Sequence, residues 1–152
     1  MRIIRDSKEQ QPWAFKDYVY DQNPVIVGRD SLEAGDYTIA AHDMPNDDNS
    51  IIIERKKDCR ELCTNLGQKW EQFENEARLL QKYTHKFIVV CGPDNFEYLY
   101  DRGYTKLHPN FIYSRLAYLA VTYNLPTMFF ANRENAENFV FRTFVKILQS
   151  TT

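Results

Sequence analysis

Short, uninterrupted apolar runs that alternate with helical patterns most constrain the fold of this chain. Phe87–Cys91 is such a run, and a strand has this pattern when both of its faces are buried, as in a parallel sheet. Pro126–Phe130, which is apolar except for Thr127, is predicted as another buried strand. The stretches around them place apolar residues at every third or fourth position, which is typical of helices that cover a sheet. The second half of the chain therefore predicts an α/β fold in which strands alternate with helices.

The other elements follow from local patterns. Four further strands are predicted, at Met1–Arg5, Val25–Val27, Tyr37–Ala41 and Ser50–Lys56. The turn-rich segment 42–49 predicts that the last two strands form a hairpin. Helices are predicted over 62–80 with an interruption near Gly67, over Pro109–Tyr123, and from an Asn132 cap to about Leu148. The hairpin adds antiparallel pairing, so the predicted fold class is α/β with a mixed β-sheet flanked by helices.

Composition excludes several classes of protein. The 152 residues are 43% apolar and 14% aromatic, which predicts one folded domain over residues 1–152 and excludes a disordered chain. With 19 Lys and Arg against 21 Asp and Glu, a strongly basic nucleic-acid binder is not expected from composition. No apolar run reaches about 18 residues and no secretion signal is visible, so neither a membrane span nor export is expected. Three cysteines without zinc-type spacing favour a reducing, cytoplasmic location.

The residues best suited to chemistry follow a β-branched run. Glu54, Arg55 and Lys56 come directly after three isoleucines. Because alternate residues of a strand share a face, Glu54 and Lys56 point one way and Arg55 the other. A carboxylate beside an ammonium at the end of a buried strand suits metal-assisted phosphodiester cleavage, since the carboxylate binds a divalent cation and the lysine stabilises developing negative charge. The alternative is an ordinary polar strand end, which an isolated Glu-x-Lys usually is.

A second carboxylate is expected from the neighbouring strand. Gly35 and Asp36 open the first arm of the hairpin, and a turn centred near Asn46 places Asp36 diagonal to Glu54, at roughly 7–8 Å between Cα atoms. One Mg²⁺ with oxygen ligands at about 2.0–2.1 Å fits between such carboxylates. Gly35 is expected to leave room for a substrate backbone. The acidic segment Asp6–Glu9 follows the first strand and is expected at the same end of the sheet.

These motifs, in this order, resemble the signature of a known nuclease family. Gly35-Asp36-Tyr37 followed by the Ile-Ile-Glu-Arg-Lys of residues 52–56 resembles the GD…ERK signature of XPF-type structure-specific endonucleases. That family belongs to the PD-(D/E)xK, restriction-endonuclease-like superfamily. Asp6–Glu9 is similar to its first motif, with Lys8 in place of the usual Arg, and residues 69–76 resemble its aromatic-rich helix. The resemblance implies a restriction-endonuclease-like fold and cleavage of DNA.

The resemblance also implies roles for individual residues. Mg²⁺ or Mn²⁺ is the implied cofactor, and its implied ligands are Asp6, Asp36 and Glu54. The implied catalytic residues are Asp36, Glu54, Lys56 and Arg55, with support from Glu9. Where the family carries an Asp four positions after its lysine, this chain has Arg60. Basic residues clustered near the same face are the candidate DNA contacts, and they are Lys57, Arg60 and Lys69.

Partners are predicted from the last helix and from the resemblance. The helix has two apolar stripes, so one side can pack on this chain while the other forms a homodimer interface with Phe141, Phe144 and Leu148. The alternative is a helix buried within one domain. Family members in eukaryotes pair the nuclease with helix-hairpin-helix domains, and the residues after Leu148 are too few to form them. A stand-alone nuclease domain, as in viral or prokaryotic versions, is therefore expected. Choice of branched DNA would then depend on this domain, a dimer partner or an accessory DNA-binding protein.

Tyr98–His108 interleaves aromatic and basic residues. Exposed tyrosines could stack on unpaired bases beside phosphate-binding cations. The alternative is a helix end whose tyrosines pack inward.

Three functions are compatible with the sequence. The first is a metal-dependent DNA endonuclease acting on flaps, forks or other branched DNA. The second is a catalytically inactive nuclease-fold module that binds DNA or acts as a scaffold. The third is a DNase of the same fold without structure specificity.

Overall fold

A six-stranded sheet organises the chain in the computed structural model, which describes residues 1–151. The elements in chain order are β1 (Arg2–Asp6), β2 (Val19–Tyr20), β3 (Asn23–Pro24), β4 (Ile26–Asp30), β5 (Tyr37–Ile39), β6 (Ile51–Lys56), α1 (Cys59–Leu66), α2 (Trp70–Leu80), β7 (His85–Cys91), α3 (Phe96–Asp101), α4 (Pro109–Tyr123), β8 (Thr127–Phe130) and α5 (Arg133–Ser150). The strand order across the sheet is β4-β1-β5-β6-β7-β8, and β2 and β3 form a separate hairpin.

The sheet combines parallel and antiparallel pairs. β1 pairs in parallel with β4 and antiparallel with β5, and β5 pairs antiparallel with β6. β6, β7 and β8 are parallel neighbours, as the continuous apolar run of β7 predicts. The expectation that β8 is also buried on both faces is wrong, because β8 lies at the edge of the sheet and Phe129 is 47% exposed. The predicted fold class, a mixed α/β sheet flanked by helices, is therefore confirmed.

Polar caps and one glycine fix the ends of the helices. Asp58, Asn95, His108 and Asn132 each accept a hydrogen bond from a backbone N–H in the first turn of α1, α3, α4 and α5 respectively. Gly67 follows α1 and produces the predicted interruption before α2. The bounds of α4 agree with the prediction. Among residues 1–151, no helix is both long and apolar enough to cross a membrane.

The sheet separates two hydrophobic cores. α1, α2 and α4 cover one face, where Ile52 packs with residues such as Leu62 and Phe73. α5 and the segment after β1 cover the other face, where Ile53 packs with residues such as Phe144. Neighbouring residues of β6 thus enter opposite cores, as the two-residue period of a strand requires.

Helix α5 lies in the second core. The Phe141 side chain is 2% exposed and Phe144 is fully buried, while the Phe141 ring centroid lies 4.6 Å from that of Tyr18. Side chains buried in their own chain have no surface left to contact a partner. The prediction that Phe141 and Phe144 form a dimer interface is therefore wrong. The structure agrees with the alternative of a helix buried within one chain. Leu148 is only partly buried, and a homodimer stays a prediction.

Two elements were not expected from the sequence patterns: the β2–β3 hairpin and helix α3. Both are short, with two-residue strands and a six-residue helix, and periodicity needs a longer window. The hairpin turn has positive φ angles of 49° at Asp21 and 65° at Gln22. Such turns are usually recognised by an Asn-Gly or Asp-Gly pair, which is missing here.

The directions of the strands bring one end of each of five strands to the same edge of the sheet, and the predicted site residues lie there. β6, β7 and β8 all end there, because they are parallel. β5 runs against β6 and therefore begins there, directly after Asp36. β1 runs against β5 and ends there at Asp6. This edge consequently collects residues that lie far apart in the sequence, including Glu54 and Lys56.

Candidate active site

Two carboxyl groups lie side by side at this edge, one before β5 and one in β6. Tyr37 pairs with Ile53, and this register makes Asp36 and Glu54 neighbours on adjacent strands. The sequence predicted that Asp36 lies diagonal to Glu54, and this is wrong. The hairpin is centred one residue before Asn46, so the two residues lie directly opposite each other. The correction brings the two side chains closer than the sequence predicted.

The surroundings of these carboxyl groups differ. Oδ2 of Asp36 accepts a hydrogen bond from the Arg55 N–H at 2.7 Å, so the backbone of β6 orients it. Glu54 is 5% exposed, and its Oε2 has no hydrogen-bond partner among residues 1–151. A buried carboxylate oxygen without a partner is destabilising unless a ligand satisfies it.

Lys56 supplies a positive charge next to Glu54. Its Nζ lies 3.3 Å from Oε1 of Glu54 and 4.0 Å from Oε1 of Glu61. The ammonium also lies 4.7 Å from the ring centroid of Phe73, and Lys56 is 5% exposed. Burial acts to lower the pKa of Lys56, but the charges of Glu54, Glu76 and Glu61 outweigh burial, and the pKa is raised above its ordinary value. Lys56 is therefore protonated at neutral pH.

Two glutamates near Lys56 were not among the sequence-predicted site residues. Glu61 stands one position after Arg60, and its Oε2 also accepts a hydrogen bond from the Lys57 N–H at 3.2 Å. Glu76 lies on α2, and its charge acts on both Lys56 and Glu54. Helical spacing could have suggested Glu76, since it follows Phe73 by three residues and shares its side of α2. No sequence signal indicated that this side of α2 faces β6.

Burial and like charge act on the acids of the site. Burial, aided by the charge of Glu9, raises the pKa of Asp36 to about 7 against the opposing hydrogen bond from Arg55. Burial and the charge of Asp36 raise the pKa of Glu54 well above its ordinary value. Burial and the charge of Glu54 raise the pKa of Glu76 to about 7. A cluster of acidic side chains with raised pKa values is typical of a site that binds a cation.

Arg55 points to the opposite face of the sheet, as predicted. Its Nη1 lies 3.3 Å from Oε1 of Glu9 and donates to the Gln11 carbonyl at 2.5 Å. Its guanidinium lies 4.8 Å from the ring centroid of Trp13. Arg55 thus ties the segment after β1 to the end of β6, and its side chain holds Glu9 at the rim of the site. Any direct catalytic role for Arg55 or Glu9 stays a prediction.

Both carboxylate oxygens of Asp6 accept hydrogen bonds from backbone N–H groups. Its Oδ1 accepts from the Leu32 N–H at 2.9 Å, and its Oδ2 accepts from the Lys8 N–H at 3.2 Å. Its own N–H donates to the Asp36 carbonyl at 2.8 Å. The backbones of Asp6 and Asp36 are therefore hydrogen-bonded neighbours, although the two residues lie far apart in the sequence. The Asp6 carboxylate holds the loops that follow β1 and β4. The structure does not bring the Asp6 carboxylate together with those of Asp36 and Glu54, and its metal role stays a prediction.

A polar cavity of about 300 Å³ opens at the site. Its walls are formed by Lys8, Glu9, Gln10, Gln11, Asp36, Glu54, Arg55, Lys57 and Glu61. A neighbouring groove of about 600 Å³ shares Lys57 and Glu61 with it and continues along α1 to Arg60 and Lys69. The three predicted DNA contacts, Lys57, Arg60 and Lys69, thus line one groove that leads from the carboxyl pair.

Gly35 serves the fold and not the substrate. Its φ is +80°, and a Cβ at this position would lie 2.3 Å from Cγ1 of Ile52. The expected room for a substrate backbone is therefore filled by the Ile52 side chain. The glycine allows the chain to turn tightly into Asp36 above the first core.

Replacing Gly35 by alanine is expected to lower the free energy of unfolding by about 2–5 kcal/mol, since a positive φ and an overpacked core both destabilise. Gly103 is a suitable control, because its φ is +75° and an added Cβ meets no atom within 4 Å. Urea unfolding should show a loss of only about 1–2 kcal/mol for Gly103→Ala. Equal losses in the two variants would contradict the predicted clash with Ile52.

The donor set suits a hydrated divalent cation. Within residues 1–151, no three His, Cys, Asp or Glu side chains converge as a metal cage. Mg²⁺ commonly binds through one or two carboxylates and keeps several waters. The partnerless Oε2 of Glu54 and the raised pKa values of Asp36 and Glu54 are features that a bound cation relieves. The residues present therefore fit Mg²⁺ or Mn²⁺.

The chain combines a mixed α/β sheet flanked by helices with a cluster of acids at one edge of that sheet. A family model for the ERCC4 domain matches residues 5–143, and the chain belongs to this family of nuclease domains. The matched range includes all of the site residues described above. The resemblance to XPF-type endonucleases is thereby confirmed.

Two solved structures similar to this chain are of XPF from Aeropyrum pernix. XPF from Aeropyrum pernix matches 100% of this chain with a TM-score of 0.64 and 22% identity. XPF from Aeropyrum pernix in complex with DNA matches 99% with a TM-score of 0.61, also at 22% identity. The chain spans 62% and 64% of those two chains. No curated protein sequence matches it.

Proposed function

We propose that the chain is a divalent-metal-dependent endodeoxyribonuclease that hydrolyses phosphodiester bonds in branched DNA such as flaps and forks. The observation that carries the proposal is the pair of adjacent carboxyl groups, partly buried Asp36 and buried Glu54, with the Lys56 ammonium 3.3 Å from Glu54. The ERCC4 domain family supports nuclease chemistry. A neighbour in fold at 22% identity has been solved with DNA, which supports DNA as the substrate.

Asp36 and Glu54 are the residues that would hold Mg²⁺ or Mn²⁺. Such an ion supplies a water of lowered pKa and neutralises charge on the scissile phosphate. Asp36 is held in place by the Arg55 N–H, so its orientation does not depend on the ligand. Glu54 contributes an oxygen that has no other partner among residues 1–151. The pKa of the Asp36 carboxyl is raised to about 7. The divalent cation should therefore bind best at neutral or higher pH, where Asp36 is ionised.

Lys56 would act as a fixed cation. Its raised pKa excludes a role as general base at neutral pH, because it remains protonated. A buried ammonium in a water-poor site stabilises negative charge that develops on a phosphate more strongly than an exposed one does. Glu54 and Glu61 hold this ammonium between β6 and α1, so the charge is positioned before substrate binds.

Substrate binding would use the groove beside the cavity. Lys57, Arg60 and Lys69 line it, and each phosphate contact contributes about −0.9 to the salt dependence on duplex DNA. The net charge of −2 implies few contacts and a shallow salt dependence. A homodimer and an accessory DNA-binding protein are proposed as sources of further affinity, with cytoplasmic action in a reducing compartment.

The test is cleavage of labelled flap, fork and plain duplex DNA by the wild-type chain. We expect cleavage with Mg²⁺ or Mn²⁺, none in EDTA, and at least about tenfold faster cleavage of a branched substrate, a preference equivalent to about 1.4 kcal/mol. Equal cleavage of all three would favour a DNase without structure specificity. DNA binding without cleavage, by a folded protein with either metal, would favour an inactive binding module.

A further inference from the structure

The tyrosine-rich segment after β7 forms a stacked surface that the proposed chemistry does not use. The Arg60 guanidinium lies 4.7 Å from the ring centroid of Tyr104. The rings of Tyr104 and Tyr98 have centroids 6.2 Å apart at 47°. The Arg102 guanidinium lies 5.4 Å from the ring centroid of Tyr98. These four residues, Arg60, Tyr104, Tyr98 and Arg102, are called the Arg–Tyr stack.

The Arg–Tyr stack is open to solvent. Tyr104 is 53% exposed and Tyr98 is 41% exposed, so the alternative of inward-packed tyrosines is wrong for these two. Gly103, with φ +75°, turns the chain after α3, and the Tyr104 N–H donates to the Leu99 carbonyl at 2.8 Å. The turn therefore holds Tyr104 beside α3. Neighbouring exposed aromatic rings of this kind are typical of an interaction surface.

The cations of the Arg–Tyr stack are available to an anion. Within residues 1–151, no carboxylate lies within 4.0 Å of the Arg60 or Arg102 side-chain nitrogens. The nearby carboxylate of Glu97 accepts a hydrogen bond from the Tyr113 hydroxyl at 2.6 Å. Two unpaired guanidinium groups thus stand at the two ends of a pair of exposed rings, in a chain whose net charge is −2.

The Arg–Tyr stack continues the groove of the proposed site. Arg60 lines the groove along α1 together with Lys57, and Lys57 also lines the cavity of the carboxyl pair. A chain that enters the cavity can therefore pass along α1 and reach Tyr104 over a continuous surface. This continuity, together with the exposure of its rings, distinguishes the stack from a pair such as Arg142 with Phe141, whose ring is buried in the second core.

We propose that the Arg–Tyr stack binds the unpaired strand of a branched DNA substrate. Aromatic faces stack on exposed bases regardless of sequence, and the flanking guanidinium groups neutralise phosphates. A duplex offers no free base faces at its sides, so the stack selects a single-stranded arm. The proposal rests on the proposed function and deepens it, because it assigns the recognition of the branch to Tyr98 and Tyr104.

The test measures binding of a labelled single-stranded oligodeoxythymidine and of a plain duplex in EDTA. The double variant Tyr98→Ala/Tyr104→Ala is expected to bind the single strand at least about fivefold more weakly, and the duplex with less than a twofold change. The corresponding Phe substitutions should keep wild-type affinity, because they retain the ring faces. Arg60→Gln and Arg102→Gln should each reduce the salt slope on the single strand by about 0.7.

Tyr100→Ala is the matched control. Tyr100 lies on the same helix, is 40% exposed, and contacts His108 instead of the Arg–Tyr stack, with a centroid distance of 5.2 Å. Its loss should leave single-strand binding unchanged. Equal weakening by Tyr100→Ala, an unchanged affinity of the double variant, or equal losses on single strand and duplex would each overturn the proposal. Thermal unfolding of each variant establishes that the substitutions leave the fold intact.

Cleavage separates this proposal from the proposed function. If the wild type cleaves flaps and the double variant cleaves them equally well at low DNA concentration, the Arg–Tyr stack has no role and the nuclease proposal stands. If the wild type cleaves nothing but its single-strand affinity still depends on Tyr98 and Tyr104, the nuclease proposal fails and the binding surface stands. At low concentration, the expected result is flap cleavage slowed at least about fivefold in the double variant.

Discussion

Replacing Asp36 by asparagine is expected to lower the rate of DNA cleavage by at least about 100-fold, a loss typical of removing one electrostatic group from an active site. Asn keeps the size of the side chain and an oxygen that can accept from the Arg55 N–H, which lies 2.7 Å from Oδ2 in the wild type. It removes the charge that would bind a divalent cation beside Glu54. DNA affinity measured in EDTA should therefore persist while cleavage is lost.

The same substitution should stabilise the fold when no divalent cation is present. Burial raises the pKa of Asp36 from 3.8 to about 7, so its ionisation in the folded state is unfavourable. This penalty appears as the pH rises through that range and is fully present at pH 8. Asn carries no charge, so the variant should melt at least about 2–4 °C higher at pH 8. The advantage should vanish near pH 3.5, where the wild-type carboxyl is also neutral.

One further measurement, with a control variant, distinguishes loss of a metal ligand from general damage. Mn²⁺ should raise the melting temperature of the wild type and leave that of Asp36→Asn unchanged, because a ligand stabilises only the state that binds it. Asp48→Asn is the control, since Asp48 lies in the exposed loop before β6, at the opposite end of that strand from the site. Undiminished cleavage by Asp36→Asn, or a full Mn²⁺ shift in that variant, would contradict the assigned role.

Local sequence patterns were sufficient to predict most of the fold. A continuous apolar run identified β7, and caps such as Asn132 located helix starts, because each signal lies within a few residues of its effect. The β2–β3 hairpin and α3 escaped, since they are too short for periodicity to identify. Phe141 and Phe144 show a second limit. An apolar stripe indicates burial, but the sequence does not say whether the covering surface belongs to the same chain.

The site was predictable in its components but not in its geometry. The alternation of β6 placed Glu54 and Lys56 on one face and Arg55 on the other, as found. The register of the hairpin decided how close Asp36 comes to Glu54, and an error of one residue in the turn shifted the pairing. Asp6 illustrates a further limit, because an acid at a strand end can equally cap neighbouring loops, as its bonds to Leu32 and Lys8 show.

Glu61 and Glu76 show why long-range packing is hard to infer. α1 carries one acid, Glu61, and α2 carries three, at positions 71, 74 and 76. Only the packing of these helices on β6 decides that Glu61 and Glu76 act on Lys56. The family pattern places an acid at the position that Arg60 occupies in this chain. The structure instead places the acid at the following residue, where helix geometry turns Glu61 toward Lys56.

Replacing Lys56 by methionine is expected to lower the maximal rate of cleavage by about 10²–10³-fold. Methionine approximates the aliphatic part of lysine and keeps its packing against Phe73, so the change removes mainly the ammonium 3.3 Å from Oε1 of Glu54. Lys56→Arg should recover little of the rate. Its planar guanidinium needs more room and a different bonding geometry from the compact ammonium held between Glu54 and Glu61.

Lys57→Met is the matched control for a role in the chemical step. Lys57 is the next residue, is exposed, and lines both the cavity and the groove. Its loss should weaken DNA binding and raise KM, with kcat changed by less than about threefold, since removal of uniform binding affects KM alone. Lys56→Met should instead reduce kcat at saturating DNA. A loss confined to KM in Lys56→Met would show that Lys56 contacts substrate without acting on the chemical step.

The stability of Lys56→Met should depend on pH in a direction that tests the ion pair itself. Burial and the charge of Asp36 raise the pKa of Glu54 well above its ordinary value, and Lys56 opposes that rise. Without Lys56, ionised Glu54 is still less favourable in the folded state, so the loss of unfolding free energy caused by Lys56→Met should grow as the pH rises through the wild-type pKa of Glu54 and this carboxyl loses its proton. Urea unfolding in EDTA across a series of pH values, from acid to alkaline, measures this difference. A loss that stays constant across the whole series would mean that Lys56 stabilises the fold by packing on Phe73 and not by compensating Glu54, and the assignment of Lys56 as the fixed cation of the site would then fail.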